Sequence, residues 1–372
     1  MNIVFAGGGT GGHIYPAIAL ADALRGRATV RFVGTADRLE AKIVPDAGYE
    51  LVTIASRPLQ RSLSFSTIRT MAVNAAGVAQ ALRALSEFRP DVVIATGGYV
   101  GFPVIVAAKI LRAFGRMRPH LALLEPNAQP GLTNRLLAPL VDEVWGAFAG
   151  GDAHFGAKYV RTGIPVRQAL FHPNNRIEAA RRLGLDPGRK TILAIGGSQG
   201  ARSINETVAA LVTRRALPPE WQILHASGER DYEYMRAEER EPFGDNRIVL
   251  VPYLREMADA YALAELVIAR AGASTLGELA ALGLPSILVP YPFASEDHQT
   301  RNARAFEEAG AASVIADRDL NADALWWTLR QSMEPQRLTA MRNAARSLAA
   351  GDPVATILAR IDALAPRRTA AV

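Results

Sequence analysis

The 372-residue chain contains no cysteine, which excludes disulfides, thiol nucleophiles and Cys-based zinc or iron–sulfur sites. It also lacks an unbroken apolar run of membrane-span length. The nearest approach is the uncharged VVIATGGYVGFPVIVAA (92–108), interrupted by Gly97-Gly98 and Pro103. That stretch reads as a buried strand, a glycine turn and the start of a helix. The opening MNIVFAGGG has no basic segment ahead of its few apolar residues, so it does not resemble a secretory signal. A cytoplasmic location is the resulting expectation.

What is present fits a soluble globular protein, with 49% hydrophobic and 21% charged residues. The length favours two domains of about 100–200 residues each. Residues 1–165 hold 17 Lys and Arg against 11 Asp and Glu, whereas the remainder holds 25 of each. The whole net charge of +6 therefore lies in the first half, which is the half expected to meet a polyanion or an anionic membrane surface.

Behind the first apolar run, Gly7, Gly9 and Gly12 spell G-x-G-x-x-G. Ile14, Ala17, Ile18, Ala21 and Leu24 then recur at helical spacing, with Pro16 read in the first turn. TVRFVG (29–34), DVVIAT (91–96), HLALLE (120–125) and DEVWGAF (142–148) read as further strands. The pattern restarts at KTILAIGGSQGARSINETVAALV (190–212), again strand, glycine turn and helix, followed by WQILHAS, RIVLVPYL, ELVIARAG and LPSILVPYP. Two consecutive α/β units with parallel sheets follow, hinged near TGIPVR (162–167), with a cleft expected between the carboxyl ends of their sheets.

A dinucleotide-binding turn asks for an acid at the end of the second strand, about 20 positions after the glycines. That strand ends FVGT (32–35), and the first acid, Asp37, comes after the turn has begun. A cofactor domain would also not predict a second glycine turn, so NAD or FAD is the weaker reading.

The segments GGTGGHIYPAIALA (8–21), GGYVGFP (97–103), EPN (125–127), TGIPVR (162–167), GGSQGARSIN (196–205), RAGASTLGELAALGLPSILVPYP (270–292) and HQTRNA (298–303) together resemble the MurG family. The resemblance implies an α/β GT-B fold of two Rossmann-like domains. The first, 1–165, faces the acceptor and the membrane, with a C-terminal helix near 352–366 packed back on it; the second, 166–350, binds the UDP-sugar. It implies transfer of N-acetylglucosamine from UDP-N-acetylglucosamine to undecaprenyl-pyrophosphoryl-muramyl-pentapeptide, on the cytoplasmic side of the bacterial membrane. No nucleic-acid partner is implied. The nearest alternative is another GT-B lipid glycosyltransferase, such as a glycosyldiacylglycerol synthase.

The site residues implied can be weighed chemically. Gly196, Gly197, Ser198 and Gly200 make a turn before a helix that suits a diphosphate, with the Ser198 hydroxyl as an added donor. Ala273, Ser274, Thr275, Leu276, Gly277 and Glu278 would wrap the uridine, Glu278 accepting from the ribose hydroxyls. Thr275 and Glu278 equally fit a T-x-x-E capping box. Arg167 is expected on the donor phosphate, Gln299 on the sugar hydroxyls, and the Leu254 backbone at the uracil. In the first half Thr10, Gly11 and Gly12 would cradle the acceptor. His13, on the N-terminal end of a helix, would be a neutral imidazole acting as base or as an acceptor-diphosphate ligand. Asn127 matches an asparagine beside the transferred sugar, although the family's His-Glu-Gln-Asn reads Leu124-Glu125-Pro126-Asn127 here, and proline fixes φ and removes a donor.

Asp317-Arg318-Asp319 matches a metal-binding D-x-D but reads better as carboxylates opening a helix. No resident metal or cofactor is expected; Mg2+ on the substrates' diphosphates stays open. For the membrane, Ile68, Met71, Val78, Leu82 and Leu85 can line one helix face, read mainly as core. KILRAFGRMRPH (109–120) interleaves four cations read as unopposed, Lys109, Arg112, Arg116 and Arg118, with Leu111, Phe114 and Met117.

Overall fold

Each apolar run read as a strand before residue 150 enters one parallel sheet. The computed structural model describes residues 1–58, 65–197, 200–238, 247–349 and 351–364. Its chain divides into two compact units, Met1–Val166 with Ala350–Val372, and Arg167–Ala349. In the first, β1 (Asn2–Gly7), β2 (Thr29–Gly34), β3 (Glu50–Thr53), β4 (Val92–Gly97), β5 (His120–Glu125), β6 (Glu143–Gly146) and β7 (Tyr159–Arg161) lie in the order β3-β2-β1-β4-β5-β6-β7. All the pairings are parallel.

Period-2 alternation sorts this sheet into two covered faces. Val4, Ala6, Val93, Ala95, Leu121 and Leu123 join one core with Ala81, Leu85, Val104 and Leu111. Ile3, Phe5, Val92, Ile94, Ala122 and Leu124 join another with Ile14 and Leu20 of the first helix and Leu24 at its end. Val354, Ile357 and Ile361 of the helix Pro353–Leu364 complete that second face. Arg360 pins the same helix to Glu143 with two bonds, 2.7 and 2.9 Å.

The second unit repeats the design with β8 (Lys190–Ile195), β9 (Trp221–Ala226), β10 (Ile248–Val251), β11 (Ala264–Ala269), β12 (Ser286–Leu288) and β13 (Ala312–Val314), in the order β10-β9-β8-β11-β12-β13. Ile204, Val208 and Leu211 of the helix Arg202–Arg214 pack on Ile192, Ala194, Leu266 and Ile268.

Three local expectations are corrected. The first helix runs Gly11–Ala23, so Pro16 sits past its first turn and cannot donate to the carbonyl of Gly12. The helix Phe65–Phe88 divides along its length: Leu85 is buried and Val78 and Leu82 pack on the core, whereas Ile68 and Met71 are exposed. Arg112 is not unopposed, because it pairs with Asp142 at 2.8 Å; Met117 packs on the core and Phe114 alone of that segment's apolar residues stands 77% exposed. Among the described residues, no helix is long and apolar enough to cross a membrane.

Candidate active site

In each sheet the strand order reverses beside the first strand of the unit, between β1 and β4 and between β8 and β11. A doubly wound sheet binds ligands at the carboxyl ends of such a pair, and both glycine turns lie there.

In the first unit, Thr10 caps the helix Gly11–Ala23 in extended backbone, its side chain making no capping bond, and Gly11 and Gly12 form the first turn. His13 follows, its Nδ1 3.0 Å from the Thr96 carbonyl at the end of β4. Gly97 leaves room for the ring: its φ is +107° and a Cβ there would lie 2.3 Å from His13 Nδ1. Beneath the turn lies Glu40, fully buried, which accepts from Gly9 N (2.9 Å), Thr35 N (3.1 Å) and Thr35 Oγ1 (2.6 Å). Glu40 therefore serves the turn itself.

Asn127 lies in the loop after β5, where its N and Nδ2 both donate to Glu125 Oε1, at 3.0 and 3.2 Å. Gly131 N and Asn134 Nδ2 hold the other oxygen at 3.2 and 2.9 Å. Burial pushes the Glu125 carboxyl up to about 7, against the pull of these four donors. Pro126 costs this loop no bond to Glu125, since the donors come from positions 127, 131 and 134.

In the second unit the turn after β8 closes by a Gly200 N to Gly197 O bond of 3.0 Å. Gly200 has φ +73°, and a Cβ there would lie 2.2 Å from Ser227 O, so only glycine fits. Ser198 lies outside the described residues.

The donor segment forms the helix Ala273–Leu282 after β11, with Gly272 as its cap and no side-chain capping bond. Thr275 is thus the third helical residue, and the capping box does not form. Ala273, Ser274, Leu276 and Gly277 make the helix's first turns, and Glu278 is free of any duty to its start. Its Oε2 accepts from Tyr261 Oη at 2.8 Å, and Oε1 is 3.5 Å from Arg167 Nη2. Burial holds the Glu278 carboxyl above the usual carboxylate range, against Arg167 and Tyr261, which pull it down. Burial, then the neighbouring Glu278, pushes the Tyr261 phenol well above 10.

Gln299 stands in the first turn of the helix His298–Glu308, where its Oε1 accepts from Tyr291 N at 2.9 Å. Leu254 is buried in the loop after β10. Asp317 and Asp319 open a one-turn 3-10 helix, Asp317–Asp319, and not the α-helix Ala322–Ser332 that follows, which Asn321 caps. Asp317 Oδ1 instead meets Arg270 Nη1 at 2.5 Å and accepts from Ser203 Oγ at 2.6 Å. Arg270 also donates to the carbonyls of Val289 and Pro290, tying the ends of β11 and β12 together. Tyr261, Arg270 and the bond from Gly9 to Glu40 escape sequence reasoning because each reaches across 17 or more residues.

Comparisons with known proteins find two family domains in succession along the chain. Residues 3–145 match the glycosyltransferase family 28 N-terminal domain and residues 191–357 its C-terminal domain. A protein of Halothermothrix orenii is 42% identical over 87% of this chain and 88% of its own. One of Desulforudis audaxviator is 40% identical over 99% of this chain and 100% of its own. Both are named UDP-N-acetylglucosamine–N-acetylmuramyl-(pentapeptide) pyrophosphoryl-undecaprenol N-acetylglucosamine transferase. The crystal structure of Acinetobacter baumannii MurG superposes with a TM-score of 0.77 at 26% identity, covering 97% of this chain and 99% of that one. A UDP-GlcNAc 2-epimerase from Neisseria meningitidis, 12% identical at a TM-score of 0.66 over 98% of this chain and all of its own, shares the fold alone.

Proposed function

Because the chain belongs to the MurG family within glycosyltransferase family 28, we propose that it transfers N-acetylglucosamine from UDP-N-acetylglucosamine to undecaprenyl-pyrophosphoryl-muramyl-pentapeptide. This is the step from lipid I to lipid II in peptidoglycan synthesis. The observation that carries the reading is 40% identity spanning 99% of the chain to a transferase so named. The same names speak for the muramyl acceptor and against diacylglycerol.

The chemistry is a displacement with inversion. The acceptor hydroxyl attacks the anomeric carbon, its proton passes to His13 Nε2, the bond from that carbon to the phosphate oxygen breaks, and UDP leaves. The Thr96 carbonyl supports this role by accepting a hydrogen bond from His13 Nδ1–H. Glu278 accepts from the ribose hydroxyls, and Arg167 with the N–H groups of the Gly196–Gly200 turn meets the diphosphate charge as it grows. Ser198, Gln299, Leu254 and the residues 273–277 complete the donor side; Thr10, Gly11, Gly12 and Asn127 belong to the acceptor side. The scheme routes no step through a resident metal.

The first unit lies on the anionic cytoplasmic face of the membrane. Exposed Ile68, Met71 and Phe114 supply apolar contact, and Lys109, Arg116 and Arg118 supply charge worth about 1 kcal/mol each near an anionic surface.

A UDP-release assay tests the function, run with a short-chain muramyl-pentapeptide lipid and with diacylglycerol. Release only with the former is expected; release with diacylglycerol alone, or with neither, sinks the reading. For the membrane, the triple variant K109Q/R116Q/R118Q is expected to bind anionic vesicles more weakly while turning over a soluble acceptor analogue normally. Unchanged vesicle binding overturns that part.

A further inference from the structure

We propose that Tyr261 is a positioning residue for nucleotide recognition: its buried hydroxyl fixes one oxygen of Glu278, so that the carboxylate meets the donor's ribose as an oriented anion. The proposal rests on the reading of Glu278 as the ribose ligand and adds to it the group that makes Glu278 fit for that work.

The geometry gives Tyr261 this part. It belongs to the helix Met257–Leu263, is only 2% exposed, and has a single hydroxyl hydrogen, which goes to Glu278 Oε2 at 2.8 Å. Glu278 belongs to a different element, the helix Ala273–Leu282, and its side chain is 13% exposed. One oxygen is thus anchored from the protein side. The other faces Arg167, 3.5 Å away. A vicinal diol offers two O–H donors and needs two acceptor lone pairs at a fixed spacing, which an ionised, rotationally held carboxylate supplies and a protonated one does not.

The ionisation depends on the same contacts. Burial favours the protonated acid, and the groups that act against it are Arg167 and Tyr261. The phenol itself stays protonated, and so stays a donor, throughout the neutral range. Removing the hydroxyl therefore frees the carboxylate to rotate and moves its titration further up, so activity on the acid side is lost at a higher pH than in the wild type.

The test uses Tyr261→Phe, which keeps the ring that fills the site, together with Glu278→Gln and the double variant. UDP and 2′-deoxy-UDP binding are measured by calorimetry, and kcat and KM for UDP-N-acetylglucosamine are followed across the acid limb. For Tyr261→Phe the expectation is a KM raised about 5- to 10-fold, on the scale of one ordinary hydrogen bond, with kcat within about twofold. Its preference for UDP over the deoxy compound should narrow, and its acid limb should move to higher pH.

The double variant separates action through Glu278 from mere packing: in the Glu278→Gln background the Tyr261→Phe change should have no further effect. Additive losses, or a Tyr261→Phe enzyme with wild-type deoxy discrimination and acid limb beside a Glu278→Gln enzyme that has lost that discrimination, overturn the proposal. If Glu278→Gln itself binds UDP and 2′-deoxy-UDP as the wild type does, the ribose reading fails instead.

Discussion

His13 Nδ1 sits 3.0 Å from the carbonyl oxygen of Thr96, and since a carbonyl only accepts, the ring proton resides on Nδ1. In the neutral imidazole Nε2 then carries the lone pair. His13→Ala should lower kcat by about 10²- to 10⁴-fold, the usual range for a general base, while UDP affinity stays unchanged. Rapid-quench kinetics beside calorimetry checks it. A loss confined to acceptor KM would make His13 a binding group.

Gly97→Ala probes the same pair from the other side. At φ +107° a Cβ would lie 2.3 Å from His13 Nδ1 and must drive the ring off Thr96. Turnover should drop toward the His13→Ala level, with a stability loss of about 1–2 kcal/mol from the left-handed backbone. A fully active, fully stable variant would show that the ring is not held as described.

Glu40 is a structural test of the first glycine turn. Glu40→Ala strands Gly9 N, Thr35 N and Thr35 Oγ1, all bonded to it, and should destabilise the first unit by about 3 kcal/mol or more, at about 1–3 kcal/mol per unsatisfied group. Glu40→Gln, which keeps an acceptor oxygen, should cost less. Urea unfolding followed in the first unit decides between them; equal costs would place the effect in packing and not in the bonds.

Glu125 makes a pH prediction. Its folded carboxyl titrates near 7 against an ordinary 4.5 because it is buried. The stability it contributes is complete below about 4.5 and disappears as pH rises through about 7. Glu125→Gln has no such titration, so the wild type's advantage over it should shrink by up to about 3 kcal/mol across that window, at about 1.4 kcal/mol per unit. Parallel stability curves for the two proteins would mean Glu125 is ionised throughout.

Asp317 and Asp319 should part company. Asp317 holds the largely buried Arg270 and Ser203, whereas Asp319 is well exposed beside Arg318 at 3.6 Å. Asp317→Asn should destabilise the second unit by about 2–3 kcal/mol and raise the donor KM, since breaking a buried pair leaves one charge uncompensated. Asp319→Asn should do neither. Matching losses of activity from the two would return the pair to the metal-binding reading.

How much of this was legible in the sequence follows from range along the chain. HLALLE and TVRFVG match β5 and β2 residue for residue, because six-residue apolar strands between turns carry their own signal. The missed strands, Glu50–Thr53, Tyr159–Arg161 and Ala312–Val314, are three or four residues long and lie at sheet edges, where one neighbour and partial burial leave no period to read. The glycine turns were legible for the same local reason. Arg112 with Asp142, Tyr261 with Glu278 and Arg270 with Asp317 were not, since each pair is made by the fold and lies 17 to 47 residues apart in sequence.

The helix Pro353–Leu364 closes a core that opens with Ile3 and Phe5. On a ribosome, residues 167–349 emerge as one continuous unit and can fold while translation goes on, ahead of the unit that precedes them. The half bearing His13 must wait, with the part of one sheet face that its first helix leaves open still uncovered, for Val354, Ile357 and Ile361 to leave the exit tunnel. A nascent chain stalled before residue 353 therefore offers chaperones a greasy strip beside the first helix that the released polypeptide hides.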